Sequence, residues 1–225
     1  MLILATRNAH KVAEIRFILA GLPVEMVSLA DLGVALSVPE EEDTYAGNAC
    51  AKAVAVARHC GAWALADDSG LEVDALGGGP GVRSHRFAGP DASDQENVSL
   101  LLTLLADVPP PRRTARFRAA AALCSPDGQV WVGEGCWEGR VATAPRGRRG
   151  FGYDPVFIPR IPRAGRTVAQ LEPGTKAIFS HRGQAVRALW PLIAELARPD
   201  PPSSPVLSRS QRVLPQESGA GGAKS

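Results

Sequence analysis

This 225-residue chain has few aromatic residues and little net charge. It also lacks paired cysteine motifs and long apolar runs. Aromatics make up 5% of it, and four cysteines stand without Cys-x-x-Cys spacing: Cys50, Cys60, Cys124 and Cys136. Neither a disulfide framework nor a zinc site has support, so we expect free thiols. No apolar run approaches the roughly 20 residues that span a bilayer, so we expect no membrane segment. Residues 1–5 are too short for a signal-peptide core, which predicts a cytoplasmic protein.

The formal net charge is only +2. Basic and acidic residues number 25 and 23, and residues 198–225 hold four of the former and two of the latter, which leaves 21 of each in residues 1–197. A neutral body has no global field to attract nucleic acid, so we expect no nucleic-acid partner despite the arginine-rich loop at 146–149. The full chain is 45% hydrophobic, and we expect residues 1–197 to form one packed domain. Residues 198–225 are rich in Pro, Ser, Gly and Gln and predict a disordered tail.

Apolar spacing predicts strands that alternate with helices. The strands are expected over residues 2–5, 24–29, 62–66, 114–124 and 129–137. The helices are expected over 11–20, 44–60, 98–106 and 180–195, with a capping box at Ser93 and Glu96 and a kink or restart at Pro191. A turn at Pro126–Gly128 makes a hairpin of the last two strands. Together these features predict an α/β domain with a mixed sheet.

The first candidate site is the segment from Thr6 to Lys11, between the first strand and the first helix. Helix N-terminal amides, the Thr6 hydroxyl, the Asn8 amide and the Lys11 ammonium all offer donors to a phosphate. The alternative is that Thr6 or Asn8 caps the helix and Lys11 is solvated. The chain has only four lysines, and three of them fall in candidate sites (Lys11, Lys52 and Lys176). A compact ammonium retained among so many arginines favours a point charge on phosphate.

The second candidate combines Glu40, Glu41 and Glu42 with a polar stripe on the following helix, formed by Thr44, Asn48 and Lys52. Such a stripe lines a cleft or, more commonly, faces water. One glutamate could bind a metal, although acidic residues before a helix also compensate its dipole.

The third candidate is Asp67-Asp68-Ser69-Gly70, which we expect just after a short buried strand. Two carboxylates in such a place must offset a desolvation penalty, which favours a metal or catalytic role over a simple turn. Mg²⁺ binds through one or two carboxylates together with substrate phosphates. Because successive strand residues point in opposite directions, we expect one aspartate to meet the metal and the other to hold the loop.

Two further segments are candidates for a nucleotide site. In Gly150–Pro155 the glycines allow close backbone approach, and Phe151 or Tyr153 could stack on a base for about 1–3 kcal/mol, or could anchor the loop in the core. Lys176 with His181 and Arg182 could read carbonyl oxygens or phosphate, or could be surface residues.

In this order, the segments resemble the inosine triphosphate pyrophosphatase family, the non-standard purine nucleoside triphosphate pyrophosphatases. The resemblance covers residues 1 to about 197 and is carried by six motifs. They are Thr6-x-Asn8-x-x-Lys11, Asn48-Ala49-x-x-Lys52-Ala53, Ala66-Asp67-Asp68-Ser69-Gly70-Leu71, Gly78-x-Pro80-Gly81-x-x-Ser84-x-Arg86, Phe151-Gly152-Tyr153-Asp154-Pro155 and Ser180-His181-Arg182-Gly183.

The resemblance implies an elongated mixed sheet flanked by helices, with two lobes and a nucleotide cleft between them, usually as a homodimer. It also implies Mg²⁺-dependent hydrolysis of ITP, dITP or XTP to the monophosphate and pyrophosphate. Asp68 would be the general base and a metal ligand, and Glu40 a second metal ligand. The substrate would contact Thr6, Arg7, Asn8, Ala9, His10, Lys11, Lys52, Ser69, Phe151, Gly152, Tyr153, Asp154, Lys176, His181 and Arg182.

The chain departs from the family pattern at three places: Gly47 and Thr175 stand where acidic residues are usual, and Glu41-Glu42 stand where Thr-Gly usually follows the metal-binding glutamate. Glu40, Glu41 and Glu42 can therefore exchange roles as the second metal ligand. Two alternatives remain at this stage: a pyrophosphatase of other or modified nucleoside triphosphates, and a nucleotide-binding module that performs no hydrolysis.

Overall fold

The fold was analysed in a computed structural model that describes residues 1–162 and 165–197; the tail expected over 198–225 lies outside the described residues. Six strands form one sheet in the order β2-β1-β3-β4-β5-β6. They are β1 (Leu2–Leu4), β2 (Met26–Ser28), β3 (Trp63–Val73), β4 (Thr114–Cys124), β5 (Val130–Val141) and β6 (Phe157–Pro159). The helices are α1 (Ala9–Ile18), α2 (Tyr45–Cys60), α3 (Asp94–Leu104), α4 (Pro173–Phe179), α5 (His181–Ala188) and α6 (Trp190–Glu195).

The sheet is mixed, as the sequence predicts. β1 pairs in parallel with β2 and β3, whereas β3, β4, β5 and β6 pair antiparallel with their neighbours. The α/β prediction is therefore confirmed. No helix among the described residues is both long and apolar enough to cross a membrane.

Helix ends follow the capping residues of the sequence. Thr44 caps α2 by accepting from the amide of Gly47, and Gly61 ends that helix in the left-handed conformation at φ 62°. The capping box of Ser93 and Glu96 starts α3. Pro191 occupies the first turn of α6, so the last predicted helix does restart there.

The expectation that a strand ends at Ala66 is wrong. β3 continues through Asp67, Asp68, Ser69 and Gly70 to Val73, paired along its length with β4. Asp67 and Asp68 face Ala121 and Ala120 across the ladder. The polar residues look like a loop in sequence, but the long partner strand supplies their backbone hydrogen bonds and its alanines leave room for the carboxylates.

Three apolar clusters surround the sheet. Two of them cover its opposite faces near β1, one under α1, α5 and α6 and the other under α2. The third joins the far ends of β3, β4 and β5 to α3 and β6. The long strands therefore run from one packed region to another, which agrees with the expected two lobes.

Candidate active site

A cleft opens where β1 stops and β3 continues. Leu4, the last residue of β1, pairs with Leu65, so Asp67 and Asp68 extend β3 beside the loop that leads into α1. The resulting cavity has a volume of about 360 Å³. Its lining includes every predicted site residue except Ala9, so one hollow brings together segments that are distant in the sequence.

Asp68 lies on the face of β3 that is covered by α2. The amide of Asn48 donates to Asp68 Oδ2 at 3.1 Å, and Lys52 Nζ lies 3.1 Å from Oδ1. The polar stripe on α2 therefore faces the cleft at these two positions rather than water. Burial raises the pKa of Asp68, against the opposing charge of Lys52. A buried carboxylate with a raised pKa is suited to accept a proton.

Asp67 lies on the opposite face. Arg182 Nε lies 2.8 Å and Lys11 Nζ 3.3 Å from Asp67 Oδ2. Burial acts to raise the pKa of Asp67, but the charges of Arg182 and Lys11 outweigh it and lower the pKa far below its ordinary value. The two aspartates thus point to opposite faces, as the alternation of strand residues predicts, and Asp67 holds an arginine rather than a loop.

Glu14 is a half-buried member of this cluster that the motifs of the sequence did not indicate. Its two carboxylate oxygens lie 2.6 Å from Lys176 Nζ and 2.6 Å from Arg182 Nη1. Burial opposes its ionisation, but Arg182 and Lys176 lower its pKa. Glu14 stands three residues after Lys11, so i, i+3 spacing indicates that both lie on one face of the helix, but it gives no sign of the partners Lys176 and Arg182.

Glu40 enters the cavity from the segment before α2. Lys52 Nζ lies 2.9 Å from Glu40 Oε1 and 3.1 Å from Asp68 Oδ1, so two carboxylates converge on one cationic atom. Among the described residues, no group of three or more His, Cys, Asp or Glu side chains could hold a metal ion. Asp68 and Glu40 supply two carboxylates, a number that a hard cation can use when water and substrate oxygens complete its shell.

The loop before α1 has both of the roles weighed from the sequence. Asn8 caps the helix, since its side-chain oxygen accepts from the amides of His10 at 2.9 Å and Lys11 at 3.3 Å. Lys11 is not solvated; besides Asp67 Oδ2 it reaches the carbonyl oxygen of Asp67 at 3.4 Å. The helix N-terminus and a fixed ammonium thus both face the cavity.

The two aromatic residues of the 150–155 loop have different environments. Phe151 lines the cavity and stacks on His10 with ring centroids 5.2 Å apart, while Lys176 Nζ lies 4.9 Å from its ring centroid. Tyr153 belongs to the third apolar cluster, and its hydroxyl donates to the carbonyl of Ser84 at 2.8 Å. Phe151 therefore lines the cavity with His10 stacked on its ring and two cations near it, whereas Tyr153 anchors the loop.

His181 and Arg182 begin α5 and are both buried, so they are not surface residues. The His181 ring stacks on Phe117 at 4.6 Å, and its burial lowers its pKa well below the ordinary value. Arg182 donates to Asp67, Glu14 and Ser69. A neutral imidazole and a fixed guanidinium thus stand on one side of the cavity.

Comparison with known proteins supports the resemblance seen in the sequence. A profile of the Ham1 family matches residues 2–192. The dITP/XTP pyrophosphatases of Corynebacterium efficiens and Mycolicibacterium paratuberculosis are 47% and 48% identical to the chain; the matches cover 87% and 88% of it and 98% and 97% of those proteins.

Solved structures give the same result. A HAM1 protein from Coxiella burnetii superposes with a TM-score of 0.75 at 37% identity, over 86% of this chain and 98% of the other. A nucleoside-triphosphatase, dITP/XTP pyrophosphatase, from Mycobacterium abscessus superposes with a TM-score of 0.65 at 45% identity, over 85% and 97%.

Proposed function

Because the chain belongs to the Ham1 family, we propose that it hydrolyses non-standard purine nucleoside triphosphates, namely ITP, dITP and XTP, to the monophosphate and pyrophosphate. The observation that carries the proposal is the placement of Asp68. This buried carboxylate with a raised pKa lines the same cavity as the cationic loop that ends at Lys11.

The reaction needs a water to attack the α-phosphorus while the bond to the bridging oxygen of pyrophosphate breaks. Asp68 is the group that accepts the proton of the attacking water. Lys11 and Lys52 are held by the Asp67 carbonyl and by carboxylates, so their ammonium groups are fixed before the triphosphate arrives. Fixed charges of this kind stabilise the negative charge that develops on the phosphate oxygens.

The family implies a divalent metal, and we propose Mg²⁺ held by Asp68 and Glu40. When bound, the metal would neutralise phosphate charge and lower the pKa of a coordinated water. Both carboxylates already lie within 3.1 Å of Lys52 Nζ, which supports their convergence on a single cation.

Discrimination against adenine would come from the polar side of the cavity. A 6-keto purine accepts hydrogen bonds at O6, where adenine presents an amino group. Donors of His181 and Arg182 that face O6 would meet the amino group of adenine instead of an acceptor, and a site built in this way rejects the mismatched substrate strongly. Phe151, open to the cavity, would stack on the base.

The test is pyrophosphate release with Mg²⁺ from ITP, XTP, dITP, ATP and GTP, with Asp68→Asn as the control. We expect kcat/KM for ITP, dITP and XTP to exceed that for ATP by at least about a hundredfold, and the variant to lose most of the rate. Equal turnover of ATP would contradict the specificity. Preference for modified pyrimidines would indicate the pyrophosphatase of other nucleotides, and nucleotide binding without hydrolysis would indicate a binding module.

A homodimer and a cytoplasmic location are further parts of the proposal. Both are implied by the resemblance of the sequence to its family. Light scattering coupled to size exclusion would distinguish a dimer from a monomer of 23.7 kDa. Cell fractionation with antibody detection would test the location.

A further inference from the structure

The segment that carries Glu40 is weakly connected to the fold. In the part of the chain that the structure describes, residues 35–43 belong to no helix or strand and make no backbone–backbone hydrogen bond. Apart from Leu36, which packs against the apolar cluster under α2, their position depends on a few side chains that reach them from elsewhere. Loops with few such connections open locally at low free energy.

Two side chains bind the main chain of this segment. Asn48 Oδ1 accepts from the amide of Glu42 at 3.1 Å, and Asn48 Nδ2 donates to the Glu42 carbonyl at 3.2 Å. Arg86 Nη2 donates to the Glu40 carbonyl at 3.1 Å. A Cβ at Gly47 would lie 2.8 Å from the Cβ of Glu42, so the glycine at that position lets the segment pack against α2.

Arg86 also holds the Glu40 carboxylate. Its Nη1 lies 3.4 Å from Glu40 Oε2, while Lys52 Nζ lies 2.9 Å from Oε1. The two cations thus divide the carboxylate oxygens between them. Because the guanidinium is planar and carries its donors on separate nitrogens, Nη1 can face the carboxylate while Nη2 binds the main-chain carbonyl, whereas a lysine has only one nitrogen for both.

Arg86 belongs to the lobe that contains α3, across the cleft from Glu40. Arg86 ends the short 3-10 helix Gly81–Arg86, in which the Ser84 hydroxyl accepts from the amide of Leu71 on β3 at 2.8 Å. Asn97 on α3 holds the main chain on both sides of Arg86. It donates to the His85 carbonyl at 3.0 Å and accepts from the Ala88 amide at 2.8 Å. Glu40 is therefore held from both sides of the cleft, by α2 and by the lobe that contains α3.

We propose that Arg86 is a positioning residue: it fixes Glu40 and the 35–43 segment in the cleft from the opposite lobe, so that Glu40 can act with Asp68. The consequence for catalysis rests on the proposed pyrophosphatase function, whereas the structural anchoring does not. Arg86 itself is not expected to contact the reacting phosphate, because it is absent from the cavity lining.

The test compares Arg86→Met and Arg86→Lys with Arg83→Met, a matched control at an exposed arginine of the same short helix. Hydrogen–deuterium exchange is measured on the 35–43 segment and on β3. We expect Arg86→Met to speed exchange in 35–43 by about tenfold or more while β3 is unchanged. Arg86→Lys should fall between Arg86→Met and the parent, and Arg83→Met should match the parent.

The kinetic arm is a double-mutant cycle with Glu40→Gln, read as kcat/KM with ITP and Mg²⁺. If Arg86 acts through Glu40, each single variant loses about tenfold or more, and Glu40→Gln in the Arg86→Met background loses less than about threefold further. Losses that multiply independently would overturn the proposal, and so would parent-like exchange in Arg86→Met. If the parent releases no pyrophosphate from any nucleotide, the proposed function fails while the exchange arm still decides the anchoring.

Discussion

Asp67 and Asp68 are adjacent on β3, yet their carboxylates lie on opposite faces of the sheet and their pKa values shift in opposite directions. Asp67 is bound by Arg182 at 2.8 Å, and its pKa is lowered. Asp68 is bound by Asn48 and Lys52, and its pKa is raised by burial. The fold therefore stabilises the charge of Asp67 and disfavours that of Asp68, which is what the proposed structural role of the first and chemical role of the second require.

We predict that Asp67→Asn lowers stability. The change leaves the buried guanidinium of Arg182 with only Glu14 as a charged partner, and breaking a buried pair costs about 3–5 kcal/mol. The free energy of unfolding, measured in urea, should fall by a large part of that amount.

Asp68→Asn is the matched control for that measurement. Because burial disfavours the charged form of Asp68, a neutral amide there should leave the free energy of unfolding unchanged or raise it, even though activity is lost. Equal destabilisation by the two substitutions would contradict the division of roles.

We predict that Glu14 stabilises the fold and that this contribution is lost in acid. Its pKa is lower in the folded protein than its ordinary value of 4.5, so the unfolded chain binds the proton first as the pH falls. Its stabilisation is complete above the ordinary pKa and is lost as the pH falls from that value through the lowered pKa of the folded state. Urea unfolding from about pH 6 to about pH 3 should therefore show a steeper loss of stability for the parent than for Glu14→Gln. Parallel curves would show that Glu14 makes no such contribution.

We predict that stacking of the base on the Phe151 ring contributes to nucleotide affinity. Since base stacking on an aromatic ring contributes about 1–3 kcal/mol, we expect Phe151→Ala to raise KM for each triphosphate by about tenfold or more. Steady-state kinetics with ITP and XTP would measure this. Phe17→Ala is the control, because Phe17 is 53% exposed on α1 and does not line the cavity. An unchanged KM in Phe151→Ala would exclude the stacking role.

Gly70 is predicted to be irreplaceable for a steric reason. A Cβ at this position would lie 2.2 Å from the carbonyl oxygen of Gly81, so the backbone of the glycine-rich loop would have to move. We expect Gly70→Ala to lower the free energy of unfolding by about 1–3 kcal/mol or more. At Gly174 the nearest atom to a new Cβ is a ring carbon of Phe17 at 3.8 Å, so Gly174→Ala should be neutral or slightly stabilising. Chemical denaturation of both variants would compare them.

Much of the fold could be read from local patterns. Thr44, Gly61 and the pair Ser93 and Glu96 mark helix ends because capping satisfies backbone groups within a few residues of the chain. The hairpin of β4 and β5 was predicted for the same reason, since its turn residues are adjacent. The end of β3 was misjudged because its ladder with β4 joins residues some fifty positions apart, and a single segment carries no sign of such a partner.

The candidate site was predicted as a set of residues but not as a geometry. The motifs indicated which side chains to consider, and the cavity gathers all of them but Ala9. The sequence left open whether the α2 stripe faces water and whether Phe151 or Tyr153 anchors the loop in the core. Each depends on what lies across the sheet or across the cleft, and Glu14 was missed because its partners Lys176 and Arg182 lie at the other end of the chain.

The sequence by itself determined the class of the fold, the helix ends and the residue types of the site, because periodicity, capping and chemical character are properties of neighbouring residues. Only the tertiary structure decided that Asp67 pairs with Arg182 while Asp68 meets Lys52, and that Arg86 reaches Glu40. Charge, burial and distance between remote segments set these relationships, and they exist only once the sheet has brought those segments together.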